Sequence, residues 1–169
     1  RLALVVPVLF GISFLVFALA HLAPGDVTVV LTGPFADEAA RQNGIKRIVF
    51  ASSNHVTGFY RQDEVIDPRA PMRPDGHYGL SKAFGEDFSR FYFDRYGIET
   101  ACVRIGSSFP EPRDRRMLAT WMSFDDTERL VVAALTAPVV GHSVIYGVSD
   151  NTAVFWDNTS ARHVGYRPR

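Results

Sequence analysis

The hydrophobic pattern changes character along the chain. Between Leu2 and Ala20 (LALVVPVLFGISFLVFALA) no side chain is charged, and a helix needs about 20 apolar residues to cross a hydrocarbon core. Being apolar on all sides, the run keeps no face for water, so a membrane-spanning helix over residues 2–20 is the first expectation. A secretory signal peptide is the alternative, with Arg1 as its charged start and Ala18-Leu19-Ala20 as a small-x-small site. Pro7 and Gly11 count against a buried core helix.

From Ile45 onward the pattern alternates between strand and helix. Ile48-Val-Phe-Ala-Ser52 is a β-branched and aromatic run suited to a buried parallel strand. Asp67-Pro68, Pro71 and Pro74-Asp75-Gly76 mark a loop, because a residue before proline resists the helical conformation. Tyr78 to Tyr96 reads as a helix that Gly97 stops. Glu99 to Ile105 reads as a second strand. Ser123-Phe-Asp-Asp126 is a capping-box-like start for a helix through about Leu135, with acids that suit its N-terminus. Ser143 to Val148 is a third strand candidate, followed by a Trp156-Asp-Asn158 segment. This order predicts an α/β layer with parallel strands and no internal repeat.

Composition narrows the function classes. With 47% hydrophobic and 21% charged residues the bulk is globular. A net charge of +0 argues against a nucleic-acid partner, since phosphate neutralisation needs a basic surface. Cys102 stands alone, which excludes an intrachain disulfide and a Cys-based zinc site, and its apolar neighbours make it core filling. No metal site is expected. Oligomeric state is not set by any of these features.

The candidate chemistry lies in Tyr78-Gly-Leu-Ser-Lys82. Tyr78 and Lys82 are four apart, so on a helix they share one face. A free phenol, at about 10, is a poor base at neutral pH. A nearby ammonium favours the phenolate, which can then take a proton from a substrate alcohol. A serine hydroxyl at the preceding strand end would hold the substrate oxygen, and both Ser52 and Ser53 qualify by position. The bland alternative is a packing tyrosine and a solvated lysine.

Strand, Ser-Ser end, loop and Tyr-x-x-x-Lys at a helix start resemble the short-chain dehydrogenase/reductase superfamily. Phe50-Ala-Ser-Ser-Asn-His55, Arg73-Pro-Asp-Gly76, Tyr78-Gly-Leu-Ser-Lys82, Arg104-Ile-Gly-Ser-Ser108 and Pro110-Glu-Pro112 are similar to the uronate dehydrogenases, an extended, epimerase/dehydratase-like branch of it. Arg116 to Trp121, Ser123 to Asp126 and Trp156 to Asn158 fit the same pattern, so the resemblance covers residues 38–169. It implies a cytoplasmic, NAD-dependent oxidation of the C1 hydroxyl of galacturonate or glucuronate to an aldarolactone. Tyr78 would be the base, Lys82 would favour its phenolate and hold the nicotinamide ribose, and Ser53 would bind the reacting oxygen. Asn54, His55, Ser107 and Arg116 would line the sugar site, and the Ile105 backbone would meet the nicotinamide. A guanidinium and small polar side chains suit a substrate with one carboxylate and several hydroxyls. Each has a structural alternative: Asn54 and His55 as loop caps, Arg116 as part of a solvated Arg113-Asp-Arg-Arg116 cluster, Ile105 as core.

The chain departs from that pattern in its first part. No G-x-G-x-x-G or G-x-x-G-x-x-G occurs in it, although such glycines let a dinucleotide pyrophosphate approach a helix N-terminus. Instead, Val5 to Phe17 followed by His21-Leu-Ala-Pro-Gly-Asp26 resembles the first transmembrane segment of a dipeptide/oligopeptide ABC-transporter permease. The expected organisation is a permease-like helix and turn over residues 1–41 and a partial Rossmann-like domain over 42–169. That reads as a truncated or chimeric dehydrogenase joined near Glu38 to Arg41, inactive alone and membrane-associated if the first segment inserts. Arg1 before the run and Asp26, Asp37 and Glu38 after it would place the catalytic part outside the cytoplasm. A permease fragment and a non-catalytic α/β relic are the alternative readings.

Overall fold

The computed structural model describes residues 45–169. The apolar run over residues 2–20, the permease-like turn and the junction expected near Glu38 lie outside the described residues. Among the described residues no helix is long and apolar enough to cross a membrane.

Strand β1 (Arg47–Ser53) leads into a short 3-10 turn (Asn54–Thr57). After the proline-rich loop come helix α1 (His77–Tyr96) and strand β2 (Glu99–Ile105). Strand β3 (Ser107–Ser108), one-turn helix α2 (Met117–Thr120) and strand β4 (Trp121–Met122) come next. Helix α3 (Phe124–Thr136), strand β5 (His142–Gly147) and a 3-10 segment (Thr159–Val164) complete the order. The main sheet runs β1-β2-β5, parallel throughout, in keeping with the alternation of elements. The β3-β4 ladder is only two residues long, below what hydrophobic periodicity resolves.

Helix α1 ends where expected. Gly97 takes a φ of 70° and donates its N–H to the Phe93 carbonyl, a left-handed stop that costs glycine no Cβ clash. Helix α3 begins at Ser123, whose Oγ accepts the Asp126 N–H at 3.0 Å. The reciprocal half of the expected capping box does not form. The Asp126 carboxylate instead accepts from Arg129 at 2.7 Å and from the Arg169 N–H at 3.2 Å, and these bonds with that of Ser149 lower its pKa against the opposing effect of burial.

The two long helices cover opposite faces of the sheet. On the α3 side, Ala101 and Val103 of β2 and Ile145 of β5 pack with Leu130, Ala134 and Val140. On the α1 side a polar network, Glu86 with Ser52 and Arg104, joins apolar contacts such as the Phe50 ring against Gly85. At the sheet's lower end Arg47 clamps the end of α3, donating to the Leu135 carbonyl at 2.9 Å and to Glu99 at 2.9 Å. Glu99 in turn accepts the Val140 and Gly141 N–H groups at 2.7 Å each. A cation at a helix C-terminus satisfies carbonyls that have no intrahelical donor. The opposite end of the sheet, where β1 and β2 finish, is left for the site.

Candidate active site

Residues 52 and 53 end β1 on opposite faces, because side chains alternate along a strand. Ser52 donates its hydroxyl to the buried Glu86 carboxylate of α1. Ser53 caps the following 3-10 turn, its Oγ accepting the His55 N–H at 3.2 Å, with Asn54 Oδ1 3.5 Å away. Position alone leaves the two serines equivalent; geometry commits Ser52 to the helix and leaves Ser53 at the strand end.

Tyr78 lies in the first turn of α1 and is 57% exposed. Its ring meets His55 edge-on, with centroids 5.7 Å apart. One turn on, Lys82 points the same way. Its ammonium lies 5.7 Å from the Tyr78 ring centroid and donates to the Ala51 carbonyl at 2.8 Å. The lysine is therefore tied to β1 rather than to the phenol, and the tie holds the start of α1 against the strand end.

The far wall comes from β2 and the segment between it and α2. Ile105 pairs in register with Ser53. Ser107 shares a 3.0 Å hydrogen bond with Thr120 of α2. Arg116 precedes α2, exposed. Every residue given a role from the sequence lines one open cleft of about 420 Å³: Ser53, Asn54, His55, Tyr78, Lys82, Ile105, Ser107 and Arg116. Ala51, Ser52, Gly106, Ser108, Phe109 and Met117 complete its walls. A larger concavity of about 860 Å³ runs along α3 and the C-terminal segment, and none of those residues reaches it. Chemistry, not size, selects the smaller cleft.

Two charged partners escape a reading of the sequence. Asp75, which the sequence offers within a turn and the Arg73-Pro-Asp-Gly76 resemblance but with no role, holds His55 Nδ1 at 2.9 Å. Glu86 receives three hydrogen bonds from Arg104, the shortest 2.8 Å, with both side chains at most 1% exposed. Burial works against the Arg104 charge, but the Glu86 bonds outweigh it and raise its pKa. An arginine inside Glu99-Thr-Ala-Cys-Val-Arg-Ile105 is the available signal, since an unpaired charge in a buried strand is prohibitive. Cys102 is core, as expected: burial pushes its thiol up to about 12, which disqualifies it as a nucleophile. Among the described residues no group of His, Cys, Asp or Glu could hold a metal.

The chain matches the NAD dependent epimerase/dehydratase family over residues 36–123. It is 63% identical over 132 residues to the uronate dehydrogenase of Pseudomonas syringae pv. tomato, covering 78% of this chain and 48% of that protein. The crystal structure of uronate dehydrogenase from Agrobacterium tumefaciens is 54% identical with a TM-score of 0.76, covering 78% of this chain and 50% of that one. A mutant of the same enzyme complexed with NAD matches at 53% identity, TM-score 0.76, with the same shares covered. The chain thus spans about half the length of the relatives it matches. With that match over more than half its residues, and a parallel sheet whose strand ends gather Ser53, Tyr78 and Lys82, the chain belongs to the NAD dependent epimerase/dehydratase family.

Proposed function

We propose that residues 42–169 are a dehydrogenase domain that oxidises the C1 hydroxyl of a hexuronic acid, galacturonate or glucuronate, to the aldarolactone. The observation that carries this is the convergence of Ser53, Tyr78 and Lys82 with Asn54, His55, Ser107 and Arg116 in one cleft. High identity to uronate dehydrogenases supports the choice of substrate.

The cofactor of this reading is NAD, which when bound supplies the hydride acceptor. The donor set at the strand ends fits its nicotinamide ribose: Tyr78 and Lys82 on one face of α1, and the Ile105 backbone across the cleft. Ser53 at the end of β1 holds the C1 oxygen. Tyr78, as phenolate, takes the proton from that oxygen, while the C1–H bond breaks and a C1=O bond forms. Arg116 meets the substrate carboxylate with a planar, permanently charged donor. Asn54 and Ser107 offer neutral partners to the ring hydroxyls.

The test is galacturonate-dependent formation of NADH by the purified chain, turnover that would overturn the expectation that this chain is inactive alone while supporting the chemistry. Tyr78→Phe should abolish it while shifting the unfolding free energy by no more than about 0.5 kcal/mol, as an exposed position should. Turnover that survives the loss of the phenol would remove Tyr78 from the reaction.

A further inference from the structure

A carboxylate stands behind the histidine of the cleft. Both oxygens of Asp75 lie 2.9 Å from His55 Nδ1. The arrangement is held from several sides. The Asp75 N–H donates to the His55 carbonyl at 3.3 Å, the Arg73 N–H to the Val56 carbonyl at 2.9 Å, and the Phe59 N–H to the Arg73 carbonyl at 3.1 Å. These bonds lace the proline-rich loop to the 3-10 turn that carries His55. Gly58 makes the room, since a Cβ there would collide with the Asp75 carboxylate. On its other side the imidazole meets the Tyr78 ring edge-on. The ring is thus located by a carboxylate on one flank and the candidate base on the other.

An ionised carboxylate only accepts hydrogen bonds, so the nitrogen facing it must carry a proton. In the neutral ring the second nitrogen is then bare and can only accept. We propose that Asp75 is a positioning residue that fixes His55 as the Nδ1–H tautomer, so that Nε2 accepts a hydrogen bond from a ring hydroxyl of the substrate. The pair reads a hydroxyl, and the carboxylate is left to Arg116 on the opposite wall. This rests on the uronate reading above.

The experiment is a long-range proton–nitrogen correlation spectrum of the imidazole nitrogens in the 15N-labelled chain at pH 8, with His55 identified by its disappearance in His55→Gln. The expected result is protonated Nδ1 and bare Nε2 in the wild type. Asp75→Ala should shift the ring toward the Nε2–H tautomer and weaken galacturonate binding at least tenfold. Asp75→Asn keeps the side chain's volume and can still accept from Nδ1, so it should retain most of the wild-type tautomer and guards against loop collapse as the cause. Added galacturonate should move the wild-type Nε2 resonance. An Nε2–H or doubly protonated ring in the wild type, or a tautomer indifferent to Asp75→Ala, overturns the proposal. Galacturonate binding that leaves Nε2 unmoved and is equal in Asp75→Ala overturns it while the uronate reading stands. A wild type with the expected tautomer that binds no uronate overturns the hydroxyl assignment together with that reading.

Discussion

Two neighbouring rows of one sheet do opposite work. Ser52, Arg104 and Tyr146 face each other in register across β1, β2 and β5, and one residue further on so do Ser53, Ile105 and Gly147. The first row is sealed under α1. Arg104 bonds Glu86, donates to the Tyr146 hydroxyl at 3.1 Å, and that oxygen lies 3.2 Å from Thr57. Trp156 stacks flat on Tyr146 with centroids 4.8 Å apart. Burial raises the Tyr146 pKa, keeping it a neutral member of the network. The second row ends the strands, and its Ser53 and Ile105 line the cleft. The pleat turns side chains over at each residue, so a single step along β1 separates a group that anchors a helix from one that caps the turn at the cleft.

The buried row also aims the open one. Glu86 lies one helical turn beyond Lys82 and two beyond Tyr78 on α1. Its bonds to Ser52 and Arg104 set the height and rotation of that helix over the strand ends. A buried ion pair is weak evidence of net stabilisation, because desolvation offsets much of its attraction. Its value here is positional.

The largest effect should come from splitting that pair. Arg104→Met or Glu86→Leu alone leaves an uncompensated buried charge and should cost about 3–5 kcal/mol in urea unfolding. The double variant should recover most of the loss in stability. If the single variants prove as stable as the wild type, the buried row does not anchor α1.

Ser52→Ala and Ser53→Ala compare the two rows directly. Ser52→Ala removes a hydrogen bond to a buried charge and should destabilise by about 1.5–3 kcal/mol. Ser53→Ala removes a cap and should cost about 1 kcal/mol, yet it should lose uronate binding. A reversed order, with Ser53 the structural residue, would break the comparison.

The smallest effect is one of pH and belongs to the buried side. Burial lowers the His142 pKa, the carbonyl of Glu86 opposing and Arg90 adding to the shift. A depressed folded-state value means that its contribution is full above the unfolded value of about 6.5. It is lost as pH falls through the folded value, because the unfolded chain binds the proton first. The melting temperature should be flat above pH 7.5 and fall toward pH 5, and His142→Gln should flatten that slope.

The three strands of the main sheet are legible because β-branched runs end at glycine, proline or polar clusters, and β2 matches its expected span of Glu99 to Ile105 at both ends. The boundaries of α1 are equally plain from the loop before it and from Gly97. Which side of α1 packs is not. Its sheet-facing residues include Gly79, Ala83, Glu86 and Ser89, while Leu80, Phe84 and Phe91 are more than half exposed. Hydrophobic periodicity favours burying the aromatics, and here a polar network takes the inner face instead. For the site, periodicity supplies Tyr78 and Lys82 as one face and Ser53 as a strand end. Asn54, His55, Ser107 and Arg116 come from resemblance, since polar residues in loops carry no period. The roles of Asp75 and Glu86 are missed for a related reason: each is defined by its partner, and the partners lie 20 and 18 residues away.

The central claim is that the strand-end cleft, not the larger groove along α3, receives the sugar acid. A galacturonate titration followed by backbone amide resonances of the labelled wild-type chain tests it most directly. The account predicts saturable shifts gathered at Ser53, Asn54, His55, Tyr78, Lys82, Ser107 and Arg116. Shifts gathered instead at Val132, Ala133 and Tyr166, or no saturable shift at all, would contradict it.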